Sequence, residues 1–275
     1  MRPIISTIHT ANDATVMPNS TAKTLLGGAT VILPSWTKSI MAVVAKSNAE
    51  VPVAGVSFLG QVDIESQDLT LQPFQVFAPP IANFVGNASH NVIKPEIYKM
   101  NARTNGGEQI SCYGTALVAP GATLTPFVGV NLVISNIPVS PGIVQRKAKC
   151  GTLTTTGTTA SADVAGTRYN FSGGEHIVEL QAIAANTTLV ASKGLNGHIK
   201  YTSAEFDGPS EVKMDLHPTA GGIATTGNSI IDGVSRLPVD IPLLPGKGQV
   251  NIQDYAYFSN ISSTAGNFCD GVIYE

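Results

Sequence analysis

The chain carries little charge. Only 13% of its 275 residues are Asp, Glu, Lys or Arg, about half the share of an ordinary soluble domain. Its 16 basic and 19 acidic residues leave a net charge of -3. A field that weak does not draw a whole chain onto phosphates, which argues against a general or sequence-specific nucleic-acid binder. Cysteine is scarce too: Cys112, Cys150 and Cys269 lie far apart and are odd in number, a pattern that builds neither a disulfide framework nor a paired metal knuckle. They read as small buried apolar residues. Long apolar runs are missing, because the most apolar window, Pro126 to Val139, is broken by Gly129, Asn131, Asn136 and Pro138, short of the roughly 18 residues that a span needs. Met1 to Thr10 has no continuous apolar stretch and no small-residue cleavage site, so classical export is not expected. No apolar stripe of helical period is sustained over three turns, which leaves no long amphipathic helix to place.

What is present is a series of short segments rich in Val, Ile, Thr and aromatics, each bounded by Gly, Pro, Asn or Ser. Residues 29–33, 40–45, 53–64, 69–77, 110–118 and 124–134 lie in the first half; 176–184, 189–191, 198–201, 211–216, 237–243, 250–258 and 272–274 lie in the second. Short strands at a spacing of roughly ten residues, separated by turn chemistry, predict antiparallel sandwiches or barrels. A mean hydropathy of +0.16 without a membrane span points to surface buried against other chains.

The halves repeat. Val53 to Ser66 aligns without gaps on Val190 to Ser203, with Gly60 on Gly197, Phe58 on Leu195, Val62 on Ile199 and Ile64 on Tyr201, at an offset of 137 residues. The alternation that sets a strand's inward face is kept. Gly106 to Ile110 matches Gly246 to Val250 at an offset of 140, and two long polar loops, Pro79 to Asn91 and Pro218 to Gly233, lie 139 apart. Two β modules in tandem account for all three. Between them, Pro138 to Lys149 holds the densest basic cluster, Arg146, Lys147 and Lys149, and reads as a solvated linker or hairpin tip.

Chemistry is hard to find in the pattern. His9, His90, His176, His198 and His217 are dispersed, and none has a second His or Cys three or four positions away, as zinc ligands on one element require. Glu211, Lys213, Asp215 and His217 alternate with Val212, Met214 and Leu216 and read as a solvated strand face rather than as half of a catalytic triad. Ser57 lies in a segment with one residue too many for a nucleophile elbow. Gly246-Lys-Gly-Gln lacks the spacing and hydroxyl of a phosphate loop and fits a hairpin turn. No catalytic, cofactor-binding or metal residue is nominated, and the chain is expected not to be an enzyme.

Two tandem β modules, each with many short strands and one long polar loop, in a neutral chain without a catalytic constellation, resemble the double jelly-roll major capsid proteins of tailless icosahedral viruses, the corticovirus, tectivirus and adenovirus groups among them. The repeats at Val53 to Ser66 and Val190 to Ser203, the second pair at Gly106 and Gly246, and the linker at Pro138 to Lys149 carry the resemblance. It implies an all-β chain of two eight-stranded antiparallel jelly-roll β-sandwiches. The expected division is an N-terminal arm at 1–24, a first roll at 25–140, a linker at 141–160 and a second roll at 161–275. It further implies a virion protein without a cofactor. The partners it implies are two further copies in a homotrimer of pseudo-sixfold outline, then the capsid lattice, with minor or vertex proteins and an inner membrane touched by the arm as further candidates. Two other readings stay open. One is a β-sandwich attachment or carbohydrate-binding protein, which would expose an aromatic cluster where this chain has a single Trp, Trp36; the other is an all-β hydrolase.

Overall fold

A computed structural model describes residues 2–10, 17, 20–28, 30–50, 56–66, 74–79, 81–83, 95–119, 125–140, 146–155, 163–186, 194–220, 234–260 and 266–275. About three quarters of these lie in strands. In the first half they are β1 (Ile5–Thr10), β2 (Ser20–Leu25), β3 (Val31–Ile32), β4 (Ser39–Glu50), β5 (Val56–Glu65), β6 (Phe74–Phe77), β7 (Ile81–Asn83), β8 (Glu96–Arg103), β9 (Gln109–Ala119) and β10 (Thr125–Ser135). In the second half they are β11 (Lys147–Thr155), β12 (Val164–Phe171), β13 (His176–Asn186), β14 (Gly194–Thr202), β15 (Glu211–Ala220), β16 (Val234–Pro242), β17 (Val250–Asn260) and β18 (Gly266–Tyr274). The only helical turn among the described residues is a three-residue 3-10 element, Leu26–Gly28.

Pairing sorts the strands into four antiparallel sheets. The first half forms β1-β10-β4-β8 and β2-β9-β5-β6, the second with β3 added on β9 and β7 on β5; the second half forms β11-β18-β13-β16 and β12-β17-β14-β15. If the eight main strands of each half are lettered B to I in chain order, both halves read B-I-D-G in one sheet and C-H-E-F in the other. That order is the jelly roll, and the chain contains it twice. The described parts of the repeated segments occupy equivalent strands: Val56–Glu65 is the first E strand, β5, and Gly194–Thr202 the second, β14. Both glycine turns join strands G and H, and Gly106 and Gly246 have nearly the same left-handed φ, 78° and 79°. The long polar loops follow strand F in both rolls, and most of their residues lie outside those described.

Strands lie inside two of the expected segments. Within 1–24, Ile5 to Thr10 pairs along β10 from Ile5 with Ser135 to Thr10 with Val130, and β2 pairs with β9. Within 141–160, β11 pairs along β18 from Lys147 with Tyr274 to Thr155 with Gly266. Each of these segments supplies strand B of its roll.

The sheets stack in four layers. The outer layers show alternation, as in β8, where Tyr98, Met100 and Ala102 are buried while Ile97, Lys99 and Arg103 are exposed. The inner layers are buried on both faces: along β5 every residue from Leu59 to Ile64 is buried, and along β18 every residue from Cys269 to Tyr274. Sheets covered on two sides lose the solvent face that antiparallel sheets usually keep. One apolar core fills the first roll and continues into Ala148, Ile183, Cys269 and Ile273 of the second, whose own core holds Leu180, Ile199, Ile252 and Val272.

The two G–H glycines differ in one respect. A Cβ at Gly106 would run into the Ser35 carbonyl, whereas one at Gly246 meets nothing within 4 Å. The left-handed backbone alone disfavours alanine by about 1 kcal/mol. Gly106→Ala is therefore expected to cost about 2–4 kcal/mol and Gly246→Ala about 1 kcal/mol, a contrast that urea titration of the two variants would measure.

Candidate functional site

The feature with the largest structural investment is the contact between the rolls. The C-H-E-F sheet of the first roll lies on the B-I-D-G sheet of the second. Register and alternation bring Leu59, Gln61 and Asp63 of β5, Thr115 of β9, and Gln75 and Phe77 of β6 to that face. Across from them lie Cys269, Gly271 and Ile273 of β18, with Gln181 and Ile183 of β13 paired beside them. Gly271 serves as a socket, because a side-chain carbon there would overlap the Phe77 ring.

Polar ties fix the register of this stack. Gln75 donates its backbone N–H to the Arg146 carbonyl at 2.7 Å and accepts the Ala148 N–H on its side-chain oxygen at 3.1 Å. At the G edge, Gln181 Nε2 donates to the Tyr98 hydroxyl at 3.1 Å and to Glu179 Oε1 at 2.5 Å. Arg236 binds Glu179 at 2.7 Å, binds Glu96 of the first roll as well, and stands 5.2 Å over the Tyr98 ring. Burial pushes the Tyr98 hydroxyl far above its ordinary pKa, so it stays protonated and neutral at physiological pH.

The two lysines of the basic cluster at the junction are taken up within the chain. Lys147 pairs with Glu175 at 2.9 Å, and Lys149 donates to the Asn170 carbonyl and lies 4.8 Å over the Phe171 ring. Of the other residues weighed from sequence, Glu211, Lys213 and Asp215 are exposed on β15 as expected, with Met214 buried between them. The side chains of His217, Ser57 and His9, and all of His90, lie outside the described residues. Cys112 and Cys269 are buried, Cys150 is half-buried, and none of the three is in a disulfide. Trp36 is half-buried against the first core, where it offers no sugar platform. Among the described residues no group of three or more His, Cys, Asp or Glu is arranged to hold a metal ion.

Sequence reasoning missed one cluster. In the interior of the second roll, Asp270 Oδ2 on β18 accepts hydrogen bonds from the hydroxyls of Tyr169 at 2.8 Å and Tyr201 at 3.0 Å, and its carboxyl also meets that of Asp254 on β17. Both aspartates are fully buried. Burial pushes both carboxyls up, with mutual repulsion adding to the rise at Asp254. Two carboxyls in contact are the raw material of acid–base catalysis, but these are sealed in a core. The one sizeable opening described nearby is a polar hollow of about 510 Å³ on the outer face, lined by Arg168, Thr202, Ser203, Glu211 and Gln253.

No family model and no curated protein matches the chain. Among solved structures it is similar to the major capsid protein P2 of bacteriophage PM2, at 9% identity over 99% of this chain and 98% of that one, with a TM-score of 0.35. It is similar also to PNGF-II, at 13% identity over 98% and 65% of the two chains, TM-score 0.32. A third is infectious bursal disease virus of the Gx strain, at 10% identity over 99% and 71%, TM-score 0.28. The fold itself stands on the strand order and pairing within this chain.

The Phe77 and Gly271 contact gives a direct check on the stack. Gly271→Ala is expected to destabilise the chain by about 1–3 kcal/mol through overpacking. Phe77→Ala should cost about 3–5 kcal/mol through the cavity it leaves. Combined in one chain, the two should cost less than their sum, and a double-mutant cycle on unfolding free energies measures the coupling.

Proposed function

We propose that the chain is a viral major capsid protein, a structural subunit that forms homotrimers of pseudo-sixfold outline and tiles an icosahedral shell in the virion. One observation carries this reading. The two rolls stack head to tail, a C-H-E-F face on a B-I-D-G face, which leaves one free face of each kind: β1-β10-β4-β8 of the first roll and β12-β17-β14-β15 of the second. Repetition of the same contact between chains is a heterologous interface, and such interfaces close into rings when the rotation permits. Three chains then supply six similar blocks.

Composition supports the reading. A tiled subunit buries much of its lateral surface, and the low charge lowers the desolvation cost of every such contact. One end of the stack, the β1-β10-β4-β8 sheet, retains apolar groups in the open: Ile97 is 66% exposed and Ile5 61%. Minor capsid or vertex proteins, and an inner membrane, are further partners that this role admits; β1 and β2 are tied into the first roll, so contact through a free arm is not part of the proposal. The attachment or carbohydrate-binding reading has less support, since Trp36 packs against the core and the face of one half-buried aromatic, Tyr257, is stacked on His198 at 4.8 Å.

Light scattering behind size exclusion tests the proposal. The expected mass is three times the 28.6 kDa chain, persisting on dilution, and a stable monomer at all concentrations would refute the trimer. Ile97→Asp on the free face of the first roll is expected to shift the mass toward monomer while leaving the circular dichroism spectrum and thermal midpoint near those of the parent chain.

A further inference from the structure

The carboxyl pair of the second roll has no place in the assembly argument, and its geometry is unusual for a structural core. Strands H and I lie in opposite sheets of a roll, so Asp254 on β17 and Asp270 on β18 meet across the sandwich. Asp270 Oδ2 is satisfied by Tyr169 and Tyr201, which reach it from β12 and β14. Asp254 Oδ1 has Gln253 Nε2 at 3.4 Å. The two remaining oxygens, Asp254 Oδ2 and Asp270 Oδ1, are buried and have no donor other than each other's carboxyl. Two bare carboxylates cannot rest against one another in an apolar interior; a single proton between them removes the conflict and supplies the missing hydrogen bond.

The enclosure is complete on the remaining sides. Gly166 of β12 closes over Asp254 so tightly that a Cβ there would lie 2.6 Å from Oδ2. The titratable groups facing the pair are Tyr169 from β12 and Tyr201 from β14; Cys150 of β11, on the other face of its sheet, is within electrostatic reach of Asp270. The apolar residues of β13, β15 and β16 in this core are Ile177, Leu180, Ala182, Val212, Met214, Leu237, Val239 and Ile241. No lysine or arginine among the described residues neutralises the pair.

The duplication supplies an internal control. At the 137-residue offset of the E strands Tyr201 corresponds to Ile64, and the register then sets Asp254, which pairs with Tyr201, on Cys112, which pairs with Ile64. The first roll therefore builds the same junction without a carboxyl or a phenol at these positions, so the fold does not require one.

We propose that Asp254 and Asp270 form a proton-operated latch: one proton held between them ties the two sheets of the second roll together, and its release in alkaline solution opens that roll while the first remains folded. This inference stands on the fold and is independent of the capsid reading. The sign follows from linkage. Both carboxyls titrate above the ordinary value of about 4, Asp270 near 6 and Asp254 near 9. Their contribution is thus fully present below about pH 4, falls as pH rises, and is lost once pH passes the higher value. Between about 6 and 9 the folded roll holds one proton more than the unfolded chain, which raises the opening constant about tenfold per pH unit.

Hydrogen exchange on the full chain between pH 6 and 10, corrected for intrinsic exchange and read by mass spectrometry segment by segment, tests this. The expected result is that protection of β12, β14, β17 and β18 falls about tenfold per unit up to near pH 9, while that of β4, β5, β9 and β10 stays level. Asp254→Asn places a permanent N–H donor against Asp270 and is expected to abolish most of the alkaline loss. If that variant does not fold, the parent chain decides alone by comparison of its two rolls. Equal pH response in both rolls, or an undiminished slope in a folded Asp254→Asn protein, would overturn the latch. So would full recovery of protection at pH 9 on adding millimolar calcium or magnesium, which would make the pair a cation site.

Discussion

Everything in this chain is subordinate to the burial of two sheets on both of their faces. A sheet in that position has no solvent side to carry polar alternation, so its polar side chains must find partners within the protein. The C-H-E-F sheet of the first roll and the B-I-D-G sheet of the second meet this demand together. Gln61, Asp63, Thr115, Gln181 and Glu179 are buried at or beside their contact, where Gln75, Tyr98 and Arg236 supply bonds that cross from one roll to the other, the last through Glu96. The apolar core of the first roll runs through this layer into the second. The rolls are consequently two in topology, each with a core of its own, and share one packed interface.

The two cores differ in kind. The first is apolar at the H–I crossing, where Gly114 accepts Met17 and Leu26. The second places three hydroxyl- or carboxyl-bearing side chains of one sheet around a single carboxylate of the other. A satisfied buried network of this sort is geometrically exacting, because a small displacement of either sheet leaves a polar atom bare. The second roll thereby has a more strictly specified sandwich spacing than the first, and a greater penalty when the network loses a member.

Much of this was legible in the sequence, and the exceptions have physical causes. The E-strand repeat and the paired G–H glycines could be seen because each is local: a strand's alternation and a turn's left-handed backbone are written in consecutive residues. Strand β1 was hidden because it is an edge strand whose residues Ile5, Ser6 and Thr7 are exposed, so no buried face imprints a pattern on it. Strand β11 read as a basic linker because Lys147 and Lys149 extend along Phe171 and Tyr274 to reach Glu175 and the Asn170 carbonyl; the charge that suggested solvent is used against the protein's own surface. In β8 the alternation of Tyr98, Met100 and Ala102 with Lys99 and Arg103 was available but too poor in β-branched residues to stand out. The contact between the rolls was invisible, since Gln61 and Gln181 carry the polarity that ordinarily marks a wet face. The Asp254 and Asp270 pair was invisible as well, since two residues on different strands of different sheets have no spacing that announces their meeting.

The stacking of unlike faces gives the chain a direction. One end presents a B-I-D-G sheet and the other a C-H-E-F sheet, so a second copy related by a two-fold axis would set like against like and reproduce nothing of the internal contact. A contact with such an arrow is repeated by succession and never by reflection. The duplicated half therefore fixes more than size: it removes the commonest symmetry of protein pairs from the ways in which the internal contact could be reused between copies.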